Sequence, residues 1–231
     1  MTPLLVLVFG IHPAAAVGTD LLYACVTKSV GTIVHGKHKT VDWQIVACLA
    51  SGSVPATMLT LAVLPAPGSL VGGGADRMIA TVLGCALILT SVSLIFRGRL
   101  RTLAIRLADG ALARHTTALT IATGAALGFL VTVSSVGAGA LGVTALLLLY
   151  PRLPIAAIVG SDIAHAVPLT LVAGIGHWWL GSVDIGLVLM LLVGSIPGVI
   201  VGSQLSVRVP DPVLRLMLAS VLALVGARLV F

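Results

Sequence analysis

Apolar runs long enough to cross a membrane alternate along this chain with short polar links. The runs occupy residues 13–34, 43–64, 78–96, 155–176, 185–207 and 213–231. A helical crossing takes roughly 20 apolar residues, so each run predicts one span. Residues 118–150 form a longer apolar stretch, broken by Ser134-Ser135-Val136-Gly137-Ala138-Gly139 and followed by Gly142. Glycine costs about 1 kcal/mol against alanine inside a helix, so an interruption or re-entrant turn is predicted there. The links differ in character. Residues 35–42, HGKHKTVD, carry Lys37 and Lys39; 65–77 read as a Pro/Gly loop; 97–115 hold five Arg; 177–184, HWWLGSVD, have no Lys or Arg. Pro55 and Pro197 predict kinks within their spans.

A repeat organises these elements. Val17-Gly18-Thr19-Asp20 returns as Val159-Gly160-Ser161-Asp162, 142 positions later. At the same offset His35 meets His177, Asp42 meets Asp184, and Gly52-Ser53-Val54-Pro55 meets Gly194-Ser195-Ile196-Pro197. Without a gap, 16 of the 47 positions from Ala14 to Thr60 are identical. That agreement in Gly, Pro, Asp and His exceeds what shared hydrophobicity explains and indicates an internal duplication. The expected organisation is a first transmembrane repeat over 1–96, a basic cytoplasmic linker over 97–116, and a second repeat over 117–231. Met1 corresponds to Val143, so 118–142 has no partner in the first copy, which is expected to lack its N-terminal part. If 118–150 crosses once, links 35–42 and 177–184 share a face. If it folds back, the second copy is inverted, with Arg152 and Arg208 on the side of Lys37 and Lys39. The charge bias leans toward inversion.

Composition narrows the class. Of the 231 residues, 58% are hydrophobic and 9% charged, against about 25% charged in a soluble domain. The fold class is therefore all-α: a polytopic integral membrane protein of two helical repeats, with about seven or eight membrane segments and at least one broken helix. Thirteen Lys and Arg against seven Asp and Glu give a formal charge of +6, which suits the positive-inside bias of membrane proteins. A nucleic-acid partner would need a basic face with interleaved aromatics, and that pattern is missing. Cys25, Cys48 and Cys85 fall in apolar runs without CxxC spacing, so they read as small core residues rather than metal ligands. No cofactor is called for, and no basic n-region marks a cleavable signal.

Several residues could carry chemistry. Carboxylates inside apolar runs are expensive and usually functional, which singles out Asp20 and Asp162. They could carry a coupling proton, or sit in the first turn of a helix capped by Thr19 or Ser161. Ser134, Ser135, Gly137 and Gly139 could expose backbone N–H groups and hydroxyls to a small anion, or simply permit close helix packing. Lys28, two turns beyond Asp20, could neutralise substrate charge or snorkel to the interface; its counterpart is Thr170. His165 lies three residues past Asp162 on one helix face and could relay protons or be a satisfied core histidine. His35 and His177 stand at helix ends as caps. The Gly194-xxx-Gly198-xxx-Gly202 stripe reads as helix packing, and Trp178 and Trp179 as an interfacial belt.

The run HPAAAVGTDLLYACVTKSVGTIVHGKHKTVDW followed by GSVP, with VGSDIAHAVPLTLVAGIGHWWLGSVD and GSIPG in the second copy, resembles the sulfite exporter TauE/SafE family of membrane transporters. That resemblance implies two four-span repeats and movement of small sulfur-containing anions such as sulfite or organosulfonates across the inner (plasma) membrane, driven by an ion gradient. Its implied substrate-binding residues are Gly18, Thr19, Gly160, Ser161, Ser134, Ser135, Gly137 and Gly139, with Asp20 and Asp162 beside them. The residue reading adds Lys28 to substrate binding and His165 to proton coupling. No GxxxxGK[ST] motif is present, so the chain is not an ATPase, and no enzymatic activity is expected. The expected partners are a small anion and the lipid bilayer; whether copies pair is left open. Two rival readings are a non-transporting membrane scaffold and an intramembrane aspartyl protease, whose two carboxyls would have to share a proton.

Overall fold

The computed structural model describes residues 1–64, 72–107, 115–137, 139–206 and 211–230. They form nine helices: α1 (Thr2–Leu7), α2 (Pro13–Lys37), α3 (Trp43–Val63), α4 (Gly72–Leu107), α5 (Thr116–Ser134), α6 (Ala140–Leu149), α7 (Ile155–Trp179), α8 (Ile185–Ser206) and α9 (Asp211–Val230). No strand occurs among the described residues. Four segments, Trp43–Val63, Arg77–Phe96, Thr116–Ser134 and Ile155–Trp179, are long and apolar enough to cross a membrane. Shorter apolar helices cover Ala140–Leu149, Ile185–Ser195 and Leu216–Val230. The chain is an all-α, multi-pass membrane protein. The 25-residue α2 has the length of a span, but Asp20, Lys28 and its Gly, Ser and Thr positions reduce its apolar character.

Helix starts follow from local chemistry. Asp42 caps α3, its Oδ1 accepting from the N–H groups of Gln44 and Ile45 at 3.0 and 3.3 Å. Its repeat mate Asp184 does the same for α8, accepting from Leu187 N–H at 3.0 Å. Proline opens α2 at its first helical position, where the missing N–H costs nothing. The loop expected over 65–77 is shorter than that: Gly72 already opens α4, and 65–71 lie outside the described residues. The stretch expected as a basic linker, 97–116, begins as helix, since α4 continues through Leu107, and 108–114 lie outside the described residues. Its Leu, Ala and Arg content favours helix, and 36 residues measure about 54 Å, well beyond a bilayer core of about 30 Å.

The stretch 118–150 folds back on itself. Helix α5 stops at Ser134; Ser135 takes the left-handed conformation (φ 55°), and Gly137 and Gly139 have φ of 124° and 136°. Helix α6 then returns. Tyr150, at its end, meets Thr120, at the start of α5, with hydroxyls 2.9 Å apart. At 10 residues α6 is about 15 Å long, a half-membrane element. Beside it, α3 and α5 run parallel and close: a Cβ on Gly52 would meet the Ile121 carbonyl, and one on Gly128 the Ser53 carbonyl.

The two copies meet along α2 and α7. Cys25 Sγ approaches the Val167 carbonyl at 3.9 Å; Gly31 faces Ile163, His35 lies at Gly160, and Gly18 lies at His177. As numbers rise on α2 they fall on α7, so the helices are antiparallel. Cys25 and Val167 are repeat mates, so a two-fold relation between the copies passes through that contact. The antiparallel contact of mates puts the copies in opposite orientations. The fold-back of α5–α6 produces this inversion by returning the chain to the end where α5 began. Links 35–42 and 177–184 consequently lie at opposite ends, with Lys37, Lys39 and Arg152 at one and Trp178 and Trp179 at the other. Both tryptophans are exposed, at 55% and 87%, as an interfacial pair should be.

Some expectations do not hold. Cys85 is exposed rather than core, on the outward face of α4. Gly194 has nothing within 4 Å of an added Cβ, so at this position the glycine stripe makes no tight contact; the surroundings of Pro197, Gly198 and Gly202 lie outside the described residues. Pro55 sits inside α3, and Pro168 inside α7.

Candidate functional site

VGTD and VGSD lie in the second turn of α2 and α7. They are neither breaks nor caps, because Pro13 and the Pro154 turn start these helices earlier. Their small residues serve the contact between copies. A Cβ on Gly18 would meet Ser182 O and His177; one on Gly160 would meet Thr40 O and His35 Nδ1. The next residues repeat the exchange. Thr19 Oγ1 accepts from the Asp184 N–H at 3.2 Å, and Ser161 Oγ accepts from the Asp42 N–H at 2.9 Å. Each copy's hydroxyl holds the capping aspartate of the other, at opposite ends of the α2–α7 pair. Thr19 and Ser161 are both fully buried.

The aspartates that follow are treated unequally. Asp20 Oδ2 accepts from Thr2 N–H at 2.9 Å, Thr2 Oγ1 at 2.7 Å, Ser135 Oγ at 3.2 Å and the Met1 ammonium at 2.9 Å. Ser135 thus brings the α5–α6 break to the first copy's carboxylate. Asp162 is 1% exposed and neither oxygen has a hydrogen-bond partner among the described residues. It lies against the first turn of α6, where a Cβ on Gly142 would overlap Oδ1. A buried carboxyl without a hydrogen-bond partner is costly, and its retention calls for a functional explanation.

Lys28, half-buried on α2, lies between the levels of the two carboxylates in the α2–α7 register. The α2–α7 register sets Lys28 level with His165, about one turn from Asp162. His165 is fully buried, its Nε2 is 2.9 Å from Ser53 Oγ, and its Nδ1 has no hydrogen-bond partner among the described residues. Asp20 and Asp162 themselves stand about 12 residues apart in this register, roughly 18 Å along the pair. Ser134 stays local, donating to Leu130 O at 2.6 Å. Gly137 and Gly139 supply the turn geometry of the break.

His177 and His35 are ties. His177 Nε2 donates to Thr132 O at 2.9 Å, fastening α7 to α5, and His35 Nδ1 pairs with Thr40 Oγ1 at 2.8 Å. Sequence reasoning missed Thr2, Ser53 and Gly142 as neighbours of the charged groups. Ser53 was visible as a repeated position and Gly142 as the last glycine of the broken stretch; Thr2 carried no distinguishing signal. No group of three or more metal-binding side chains occurs among the described residues.

A family model described as sulfite exporter TauE/SafE matches residues 1–229. The chain belongs to the sulfite exporter TauE/SafE family. As a TauE/SafE member it is similar to a protein of Bacillus subtilis (strain 168) named probable membrane transporter protein YjnA. The two are 39% identical over 237 residues, which cover all of this chain and 90% of that protein. No solved structure matches. The family and this relative make the TauE/SafE chain a membrane transporter, built here from two oppositely oriented copies around charged residues.

Proposed function

We propose that the chain is a secondary transporter of small sulfur-containing anions, such as sulfite or organosulfonates, across the plasma membrane, coupled to an ion gradient. The observation that supports this reading is that the contact between inverted copies carries Asp20, Lys28 and Asp162 along its length, with the α5–α6 break touching Asp20 through Ser135 and Asp162 at Gly142. Transporters of that construction place substrate and coupling ion at the repeat interface, beside broken helices. In this reading Lys28, Ser135 and the glycines of the break receive the anion. Asp162, with His165 one turn away, carries the coupling proton, and Asp20 holds the break in place. Gly18, Thr19, Gly160 and Ser161 contribute by fastening the copies together around that site. The protease alternative is disfavoured because carboxyls roughly 18 Å apart along the helix pair do not share a proton.

The test is flux of radiolabelled sulfite into proteoliposomes under an imposed proton gradient. Wild type should move the label, and Asp162→Asn should uncouple flux from the gradient. If transport and its dependence on the gradient survive both Asp20→Asn and Asp162→Asn, the coupling role is lost. A wild type that moves none of sulfite, taurine or thiosulfate would overturn the substrate class.

A further inference from the structure

The three charges of the site are arranged about the two-fold relation between the copies. Cys25 and Val167 mark its position. In the α2–α7 register Asp20 lies to one side of that crossing and Asp162 to the other, at matching distances, as repeat mates must. Lys28 lies close to the crossing itself. Helical side chains lean toward the helix N-terminus, which carries the Lys28 stem further toward it. Its own mate, Thr170, is buried and back-bonds to Ala166 O at 2.7 Å. The duplication therefore supplies two matched anions and, near the crossing, one unmatched cation. The surroundings of the two anions differ: Thr2 and Ser135 donate to Asp20, whereas Asp162 has no hydrogen bond among the described residues.

We propose that Lys28 is a counter-ion shared by the two copies, set about one helical turn from Asp162 in the conformation seen here, and that a transported monoanion binds by drawing the Lys28 charge away from Asp162. The proposal rests on the transporter reading and deepens it. It makes substrate and carboxylate competitors for one ammonium, so a single negative charge is exchanged for another. An anion on Lys28 leaves Asp162 without compensation in a dry site, which obliges the carboxylate to take up a cation. Coupling then follows from charge balance, with no second binding pocket. It also sets the substrate class: one negative charge per Lys28, which suits hydrogen sulfite or a sulfonate better than a dianion. Asp20, held by its own donors, is the resting partner for Lys28 in the opposite conformation.

Two measurements on the purified full chain test this. The first needs no substrate: thermal unfolding of Lys28→Met, Asp162→Asn and the double variant. Lys28→Met should lower Tm by about 6 °C or more, because it strands a buried carboxylate, and adding Asp162→Asn should restore most of that loss. The Asp20→Asn change should restore little in the same background. If the Lys28 and Asp162 effects are simply additive, or if Asp20→Asn rescues equally, the shared counter-ion is overturned. The second measurement is equilibrium binding of radiolabelled sulfite at fixed pH. Asp162→Asn should tighten binding by about tenfold and Lys28→Met should abolish it. Unchanged binding in Lys28→Met overturns the competition. A wild type that binds no sulfite, with the rescue of stability intact, would remove the substrate reading and leave the counter-ion standing.

Discussion

Asp20 and Asp162 hold the same place in two copies of one motif, yet they live in different surroundings. The first is gripped by the start of α1 and by the α5–α6 break; the second faces the bare Cα of Gly142 and has no donor among the described residues. One residue earlier, Thr19 and Ser161 are treated alike, each taking the N–H of a capping aspartate in the other copy. Duplication has kept the joint between the copies symmetric and let the charged site diverge. A joint that must fit itself tolerates little change on either side. A carboxylate whose neighbours come from outside the repeated stretch is free to specialise.

Four experiments bear on that contrast, all read as unfolding free energy in detergent. The largest effects belong to the symmetric joint. Gly18→Val and Gly160→Val push a side chain into a backbone carbonyl of the other copy, and each should cost about 3 kcal/mol; a cost confined to one would show the joint to be lopsided. The asymmetric pair comes next. Asp20→Asn should cost about 2 kcal/mol because it weakens bonds to a charged acceptor, whereas Asp162→Asn should cost less, because no hydrogen bond among the described residues is lost and only the Lys28 charge a turn away is left uncompensated. The reverse order would break the comparison. Gly142→Ala should cost about 1–2 kcal/mol through overlap with Asp162, and the loss should vanish when Asp162→Ala is present. The smallest effects return to the joint: Thr19→Val and Ser161→Ala should each cost about 1 kcal/mol by orphaning one N–H.

The membrane class, the duplication and the broken helix were all legible in the residues, because apolar length, an ungapped offset and a Ser/Gly run each have direct physical consequences. The fold-back was legible only as one of two alternatives. A single crossing and a hairpin have the same composition, and the choice depends on Tyr150 reaching Thr120. The VGTD and VGSD motifs were singled out for good reason, but their glycines suggested a break when they in fact permit close approach between helices. Sequence alone does not separate these uses, since both require a missing Cβ. The inequality of the aspartates was invisible, because it is set by Thr2, Ser135 and Gly142, none of which belongs to the aligned stretch.

The crossing at Cys25 and Val167 has a mechanical consequence. If one rod tilts about that midpoint, the interlock at one extremity parts while the other is pressed together. In the transport cycle proposed above, such a tilt would open the centre to one face of the bilayer and close it to the other.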